Sequence, residues 1–327
     1  MMKIAVLGLG IMGHGIASNF LKHGYELTVW NRSLDKAEDL VARGARLATS
    51  VADAVDSADI VFEVTANDES SRGLWLCEGG IIAHANAAQT LITCATLSVE
   101  WVDELAETCA EKGLTFLDMP MTGSRAGAEG GTMLLLVGGD EQKLNEVKPH
   151  LEKIASQVKL FGPAGYGTRI KLVLNCLQAV HLAGFGEAMR LANALGLDQK
   201  LTGEMLAEKP GGATTQLAWR DYQNHPDPIN FAVELIAKDE TYALLNIDPA
   251  QVPLISQTLV AYQRAIDDGH ARDDWTYVTR RSGPLFLTVL GCSWAKGFGT
   301  PILLLAVTYG KICSSSRMSL SVQMPAR

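Results

Sequence analysis

A lysine and an asparagine four residues apart are the side chains in this sequence best suited to proton transfer. Lys171 and Asn175 share one face of a predicted helix, because residues at this spacing lie above one another. The residues between them are apolar, and partial loss of water around an ammonium group lowers its pKa. Such a lysine can donate a proton to a carbonyl oxygen, while Asn175 holds the lysine and the substrate. The alternative is a lysine that extends its charged end to solvent beside a core or capping asparagine.

Near the N-terminus, a short apolar run leads into three glycines with the spacing G-x-G-x-x-G. Gly8 permits a tight turn, Gly10 lets the backbone approach a pyrophosphate, and Gly13 allows the following helix to pack closely on a sheet. Glycines can also simply close a strand-to-helix connection. The whole turn is the predicted dinucleotide-binding segment, with residues Gly8, Leu9, Gly10, Ile11, Met12 and Gly13.

The end of the second predicted strand bears on the choice of dinucleotide. Asn31, Arg32 and Ser33 follow that strand and include no carboxylate. Arg32 can pair with a 2'-phosphate and stack on adenine, while Asn31 and Ser33 can donate hydrogen bonds. This pattern favours NADP over NAD. The alternative is that Asn31 caps a helix and Arg32 is solvated.

A loop of small polar residues, Thr122, Gly123 and Ser124, follows another predicted strand. Its hydroxyls and backbone N–H groups are suited to binding a carboxylate, and the predicted partner is therefore a small carboxylate-bearing substrate. Alternatively, the glycines only shape a turn.

The elements that must position these residues alternate between strand and helix in the first half of the chain. Strands are predicted near 3–7, 25–30, 60–64, 90–94, 114–117 and 133–137, with helices between them. This alternation is typical of an α/β fold with a doubly wound, Rossmann-type sheet. The cluster of glycines and a proline at 161–167 ends it, and a long apolar helix follows.

Three segments are therefore predicted. They are an NADP-binding Rossmann domain at 1–164, an all-helical substrate and oligomerisation domain at 165–281, and a divergent or non-native C-terminal extension at 282–327. The helix around 172–191 is apolar enough to be buried on all sides, which favours a homodimer or homotetramer.

Four separated motifs resemble the beta-hydroxyacid dehydrogenase family, which includes 3-hydroxyisobutyrate dehydrogenase, tartronate semialdehyde reductase and the glyoxylate/succinic semialdehyde reductases. The glycine turn is the first. Residues 118–128, DMPMTGSRAGA, are similar to the substrate-binding D-x-P-x-S-G-x-x-x-G-A. Residues 165–175 are similar to the catalytic G-x-G-x-x-x-K-x-x-x-N, and residues 231–239 to F-x-x-x-L-x-x-K-D.

The resemblance implies roles for residues that spacing alone does not assign. Phe231 would cover the nicotinamide end, Lys238 would approach the cofactor, and Asp239 would support the substrate pocket. Thr96 lies in a segment similar to D-x-S-T-x-S-P from which the Asp, Ser and Pro are lost, and it would contact cofactor or substrate. Without the resemblance, Phe231 is an apolar anchor and the other two are a solvated charge pair.

The overall composition excludes several other classes of function. A net charge of −8 and the lack of a basic stripe argue against nucleic-acid binding. Six cysteines without C-x-x-C pairing, and Met1 leading straight into a strand, favour a cytoplasmic protein with reduced thiols. The seven histidines show no metal-ligand spacing, so no metal is predicted. The apolar runs within 285–310 are each too short to span a bilayer, which leaves a membrane anchor only as a weak alternative.

These features predict an NADPH-dependent reductase that interconverts small aldehyde acids and hydroxy acids. Glyoxylate and the semialdehydes of succinate, tartronate and methylmalonate are the expected type of substrate, and Lys171 is the expected acid/base. One alternative is imine reduction, although imine reductases generally lack the lysine. Another is a catalytically silent NADP-binding module, which weakened motifs around Thr93 and Thr122 keep open.

Overall fold

The N-terminal half of the chain forms a nine-stranded sheet in the computed structural model, which describes residues 2–208 and 212–280. The described strands are β1 (Lys3–Leu7), β2 (Glu26–Trp30), β3 (Arg46–Leu47), β4 (Ile60–Glu63), β5 (Thr90–Thr93), β6 (Thr115–Asp118), β7 (Met121–Thr122), β8 (Met133–Gly138) and β9 (Ala155–Gly162).

The strand order is β3-β2-β1-β4-β5-β6-β8-β7, and β9 pairs with β8. All pairs are parallel except those of β8 with β6 and with β7. The predicted doubly wound, Rossmann-type sheet is therefore confirmed, with antiparallel pairing added at one side. The order reverses between β1 and β4, and ligands of such sheets bind outside the carboxyl ends of the strands at this point.

Helices cover both faces of the sheet and form most of the described chain after β9. They are α1 (Ile11–Lys22), α2 (Glu38–Ala42), α3 (Val51–Asp56), α4 (Asp68–Leu76), α5 (Ile81–His84), α6 (Val99–Glu111), α7 (Ser124–Gly130), α8 (Glu141–Leu151), α9 (Tyr166–Ala194), α10 (Gln199–Glu208), α11 (Gly212–Gln223), α12 (Val233–Leu244) and α13 (Pro253–Ala265). A 3-10 turn, Leu34–Ala37, leads directly into α2.

Alternating side chains of β1 divide the core of the sheet domain into two layers. Ile4 and Val6 pack into one buried cluster, and Ala5 and Leu7 pack into the other. Successive side chains of a strand point to opposite faces, and a strand covered on both faces is apolar throughout. This burial fixes the carboxyl end of β1, from which the glycine turn extends.

The long helix α9 is the centre of the helical region, and its buried side chains form a third cluster with α11, α12 and α13. Within the single chain this helix is not covered on all sides, so the expectation of complete burial stays a prediction for an oligomer. Val173, Leu177 and Leu191 are 64%, 53% and 60% exposed. The segment Tyr166–Asn193 is long and apolar enough to cross a membrane by length and composition, but half of its most apolar window is buried within the protein, so this similarity is weak support for a span.

Some of the predicted features fall outside the described residues. The C-terminal extension at 282–327 and the apolar runs within 285–310 belong to this group. The last strand of the sheet ends at Gly162 and α9 begins at Tyr166, but the three-segment division with its boundary after residue 164 stays a prediction.

Candidate active site

The glycine turn joins β1 to α1 at the reversal point of the sheet. Gly8 has a φ of 103°, and a side chain there would overlap the backbone oxygen of Val64. A side chain at Gly13 would overlap the backbone oxygen of Gly8. By contrast, no protein atom lies within 4 Å of the place where a Cβ of Gly10 would stand. The turn is therefore closed toward the protein and open toward a ligand.

Helix α1 begins at this turn without a side-chain cap at its N-terminus. The first N–H groups of a helix have no partner inside the helix, and the helix dipole favours an anion there. An uncapped helix end beside an open glycine backbone fits the pyrophosphate of a dinucleotide. Residues 8–13 are thus the ones that would hold the cofactor's phosphates.

Of the three residues after β2, Asn31 is held by hydrogen bonds, whereas Arg32 and Ser33 are exposed. The Asn31 Oδ1 atom accepts a hydrogen bond of 2.9 Å from the Leu9 N–H, and its Nδ2 atom donates to the Ser33 carbonyl oxygen at 2.8 Å. Asn31 thus braces the glycine turn from the neighbouring strand. Arg32 and Ser33 are exposed, so the guanidinium group is accessible to a bound anion.

Lys171 lies on the second turn of α9 and is only 9% exposed. The pKa of Lys171 is lowered to about 8, mainly because burial removes water from the ammonium group; the negative charge of Asp239 raises this pKa, and the positive charge of Lys238 lowers it. Asn175 is buried one turn later, and its Nδ2 atom donates to the Asp239 Oδ2 atom at 2.6 Å. The predicted pair thus lies on one buried helix face next to a carboxylate from α12.

Lys238 links this pocket to the carboxyl edge of the sheet. Its Nζ atom donates to the carbonyl oxygens of Thr96 at 2.6 Å and Ala66 at 3.0 Å. The same atom lies 2.9 Å from the Asp239 Oδ1 atom as an ion pair. The structure therefore brings Thr96, Lys238, Asp239 and Asn175 into one contiguous set of contacts, and the charges of Lys238 and Asp239 act on Lys171.

Asp118, at the end of β6, positions the helix that carries Lys171. Its carboxylate accepts hydrogen bonds of 2.6 Å from the N–H groups of Gly165 and Thr168, at the start of α9. Burial raises the pKa of Asp118, and these two hydrogen bonds lower it. A side chain at Gly167 would overlap the Leu136 backbone oxygen, so α9 can approach the sheet only with glycine there. The sequence motif contains Asp118, but its capping role had no recognisable signal.

The loop of Thr122, Gly123 and Ser124 lies between β7 and α7. Gly123 has a φ of 134° and Ser124 a φ of 54°; Ser124 is the only non-glycine residue with positive φ in the described part of the chain. Strained backbone of this kind concentrates at ligand sites. Among residues 2–208 and 212–280, no hydrogen bond joins this loop to Lys171 or Asn175. Helix α7, which begins at this loop, contacts α1 instead, because the Asn19 side chain donates to the Ala128 carbonyl oxygen at 2.7 Å.

Phe231 lies just before α12 and is half-buried. Its ring packs edge-on against Trp275, with ring centroids 5.5 Å apart. The backbone N–H of the preceding residue, Asn230, donates to the buried Asp274 carboxylate at 2.7 Å. These contacts fix the position of Phe231 relative to Lys238 and Asp239, which lie on α12.

Several polar residues around the site were missed by the sequence analysis. Glu63 is fully buried at the end of β4, and the carboxylate of Asp68 accepts a hydrogen bond of 2.9 Å from the Ser98 N–H. Asn67 forms a capping box with Ser70 at the start of α4. Position at the carboxyl end of a parallel strand was the available signal for Glu63. No group of three or more histidine, cysteine or acidic side chains suited to a metal occurs among the described residues.

Comparison with known proteins assigns both halves of the chain to related domains. Residues 3–162 match the NAD binding domain of 6-phosphogluconate dehydrogenase, and residues 165–281 match the NAD-binding domain of NADP-dependent 3-hydroxyisobutyrate dehydrogenase. The chain is 32% identical to an NAD-dependent L-serine dehydrogenase of Pseudomonas aeruginosa, over 87% of this chain and 99% of that protein.

Two further relatives have the same arrangement. A 3-hydroxyisobutyrate dehydrogenase of Pseudomonas aeruginosa is 32% identical over 84% of this chain and 94% of its own length. The solved structure of the Mycobacterium tuberculosis 3-hydroxyisobutyrate dehydrogenase with L-serine superposes with a TM-score of 0.75 at 27% identity, covering 86% of this chain and 98% of that one. With the glycine turn and the buried lysine pocket, these similarities identify an oxidoreductase that uses a nicotinamide cofactor. The chain belongs to the beta-hydroxyacid dehydrogenase family.

Proposed function

We propose that this protein is an NADPH-dependent reductase that interconverts small aldehyde acids and the corresponding hydroxy acids. The observation that carries the proposal is the buried Lys171, whose pKa is lowered to about 8 beside the Asp239 carboxylate. A general acid or base works best when its pKa is close to the pH of the reaction. A silent cofactor-binding module has no need for a desolvated lysine at this place.

A bound nicotinamide cofactor supplies the hydride that reduces the carbonyl carbon of the substrate. Lys171 donates the proton to the carbonyl oxygen as the oxygen gains electrons, and takes it back when the reaction runs toward oxidation. Asn175 orients the substrate and is itself held by Asp239. Thr122, Gly123 and Ser124 bind the carboxylate of the substrate, Thr96 contacts substrate or cofactor, and Phe231 excludes water from the nicotinamide end.

The cofactor preference rests on Arg32. Its exposed guanidinium group follows β2, and residues 31–33 include no carboxylate that would repel a 2'-phosphate. One relative is NAD-dependent, so the proposed preference for NADP rests on Arg32 and its neighbours and not on the relatives. Changing Arg32→Ala should weaken NADPH binding by roughly tenfold more than NADH binding, because only NADPH loses a charge-assisted contact to the 2'-phosphate. The exposed Lys159→Ala serves as control.

Substrate and cofactor can be tested together by following NADPH and NADH oxidation. Glyoxylate, succinic semialdehyde, tartronate semialdehyde and methylmalonate semialdehyde are the reductive substrates, and L-serine and 3-hydroxyisobutyrate are the oxidative ones. We expect turnover of at least one aldehyde acid with NADPH. No turnover with any substrate would favour the silent module, and faster oxidation of NADH would contradict the role of Arg32.

The protein is proposed to be a cytoplasmic homodimer or homotetramer, and the exposed apolar side chains of α9 support the oligomer. Val173, Leu177 and Leu191 lie on one exposed stripe of this helix, and contiguous apolar surface of this kind is typical of subunit contacts. Leu177→Glu should reduce the mass of the particle measured by light scattering, whereas Leu34→Glu, at an exposed site of the sheet domain, should not. An unchanged mass of the Leu177→Glu variant would contradict the proposal.

A further inference from the structure

Glu63 is a fully buried acid at the carboxyl end of β4, and the proposed chemistry does not use it. It lies between the two strands that flank β4, since its Cα partners are Leu7 of β1 and Thr93 of β5. Burial raises the pKa of Glu63. An acid at such a place is costly for folding, so its contacts indicate what it does.

Both carboxyl oxygens of Glu63 accept hydrogen bonds. The Oε1 atom accepts from the Thr65 N–H at 2.9 Å, two residues along the chain. The Oε2 atom accepts a short hydrogen bond from the Thr93 hydroxyl and lies 3.5 Å from the indole Nε1 atom of Trp75 in α4. One side chain therefore ties the turn after β4 to the end of β5 and to the helix that follows the turn.

The turn that Glu63 holds, residues 64–67, contacts the glycine turn on one side. The Val64 N–H donates to the Leu7 carbonyl oxygen at 2.8 Å, and a side chain at Gly8 would overlap the Val64 oxygen. The Cβ of Val64 is also within 3.3 Å of the place where a side chain at Gly13 would begin. A shift of this turn therefore shifts the backbone on which the cofactor's phosphates are held.

On its other side, the turn contacts Lys238. The Ala66 carbonyl oxygen accepts from Lys238, and so does the carbonyl oxygen of Thr96 in loop 94–98. Glu63 also reaches the base of loop 94–98, because the Cys94 N–H donates to its backbone oxygen at 2.8 Å. Glu63 thus joins the two loops at their bases, and Lys238 joins them farther along.

We propose that Glu63 is a positioning residue, which holds loops 64–67 and 94–98 at the spacing that aligns the glycine turn with Lys238. Its loss would leave the Thr65 N–H and the Thr93 hydroxyl without this acceptor, and the two loops would no longer share an anchor. The expected effect is weaker binding of the nicotinamide cofactor, separate from any effect on folding.

Two substitutions of similar size separate positioning from stability. In Glu63→Leu the hydrogen bonds are lost, and the buried donors left without an acceptor cost some stability, so the unfolding temperature is measured beside binding. In Glu63→Gln the amide oxygen can still accept from Thr65, and the amide nitrogen can donate to the Thr93 hydroxyl. We expect the dissociation constant for NADPH, measured by fluorescence titration, to rise about tenfold in Glu63→Leu and to stay within about threefold in Glu63→Gln.

The midpoint of thermal unfolding without cofactor is the second measurement, and Ser71→Ala is the matched control. Ser71 is buried in the same domain, and its hydroxyl, which the substitution removes, accepts from the Trp101 indole at 3.0 Å. Its backbone N–H bond to the Asn67 carbonyl oxygen is kept in the variant. Ser71→Ala should lower the unfolding temperature and leave NADPH binding unchanged. Unchanged NADPH binding by a folded Glu63→Leu protein would overturn the proposal. The proposal would also be overturned if the loss of binding in Glu63→Leu, Glu63→Gln and Ser71→Ala were proportional to the loss of stability in each.

A second variant covers the case in which Glu63→Leu does not fold. Thr93→Val removes only the hydroxyl that joins β5 to Glu63 and keeps the volume of the side chain. It should raise the dissociation constant for NADPH about threefold, and wild-type affinity would contradict the proposal. Binding is the readout throughout, so a failure here is distinguishable from an error in the proposed substrate.

Discussion

The glycine turn and the lysine pocket, which consists of Lys171, Asn175, Lys238 and Asp239, have opposite physical requirements. The turn at residues 8–13 presents bare backbone, and side chains at Gly8 and Gly13 would overlap neighbouring backbone atoms. The pocket around Lys171 is made of side chains that are almost fully buried and carry charge. The turn therefore depends on the absence of atoms, whereas the pocket depends on which charges face one another.

Substitutions in the two regions are therefore expected to affect different properties of the protein. A methyl group added to the turn changes ligand access without changing any charge. A change of charge in the pocket alters the proton affinity of Lys171, while the apolar contacts between α9 and α12 remain to hold the two helices together.

The largest effect is expected for Lys171→Met, which removes the proton donor and keeps an apolar stem of similar length. Turnover should fall by roughly 10²- to 10⁴-fold, the usual contribution of a positioned acid or base. The dissociation constant for NADPH should change by less than about threefold, as in the exposed control Lys200→Met. Activity close to wild type would remove Lys171 from the mechanism.

Gly10→Ala is expected to lose NADPH binding, the property that Lys171→Met keeps. The backbone of Gly10 has a φ of −70°, which alanine adopts without strain, and no protein atom lies near the added methyl group. The unfolding temperature of the protein alone should therefore stay the same, while NADPH binding weakens by about 100-fold, or about 2.7 kcal/mol. Gly73→Ala, at an exposed position in α4, is the control. Wild-type affinity of Gly10→Ala would mean that the cofactor does not approach this backbone.

A smaller effect on stability is expected at Glu240, a buried acid next to Asp239. It accepts a hydrogen bond of 2.6 Å from the Thr258 hydroxyl, and burial raises its pKa to about 8. Below pH 4.5 the folded and unfolded chains bind this proton equally. Between pH 4.5 and about 8 only the unfolded chain releases it, so the free energy of unfolding falls by up to about 1.4 kcal/mol per pH unit. Above pH 8 the loss is complete.

Glu240→Gln should remove this dependence, because glutamine does not titrate. Chemical denaturation at pH 5 and pH 8 measures the free energy of unfolding of both proteins. The free energy of the variant should rise relative to that of wild type as the pH rises. A constant difference between the two proteins across this range would show that Glu240 titrates normally. Glu204→Gln, at an exposed position of α10, is the control.

The smallest effects are shifts in the pH dependence of reduction. Reduction needs protonated Lys171, so kcat/KM should fall as the pH rises through about 8. Asp239→Asn removes a charge that raises the pKa of Lys171, and Lys238→Gln removes one that lowers it. The two variants should therefore move the falling limb in opposite directions, each by up to about one pH unit. Shifts in the same direction would contradict this electrostatic account.

Much of the fold could be predicted from the sequence, because its signals are local. The apolar run of β1, the three glycines and the second strand lie within 30 residues, and their pattern alone predicts a Rossmann-type unit. Short elements such as β7 and α7 were missed, since two or seven residues carry no clear periodicity. The exposed stripe of α9 was missed because an apolar helix has the same composition whether a partner or its own chain covers it.

The candidate site was only partly predictable. Lys171 and Asn175 share a helix, so their spacing was sufficient to place them on one face. Asp239 and Lys238 were chosen through the family resemblance, because nothing local joins residue 239 to residue 175. The signal for Glu63, an acid at the carboxyl end of a parallel strand, was weak, since one acid in a short apolar strand does not reveal whether its side chain is buried.

The sequence by itself determined the elements of this protein: strands, helices, the tight glycine turn and the spacing of the lysine and asparagine. These depend on backbone preference and on periodicity, which act between neighbours along the chain. Only the tertiary structure decided the charge environment of Lys171 and the anchoring of loops 64–67 and 94–98 by Glu63. Those properties depend on burial and on contacts between residues far apart in sequence, and such contacts exist only after the helices and strands have packed.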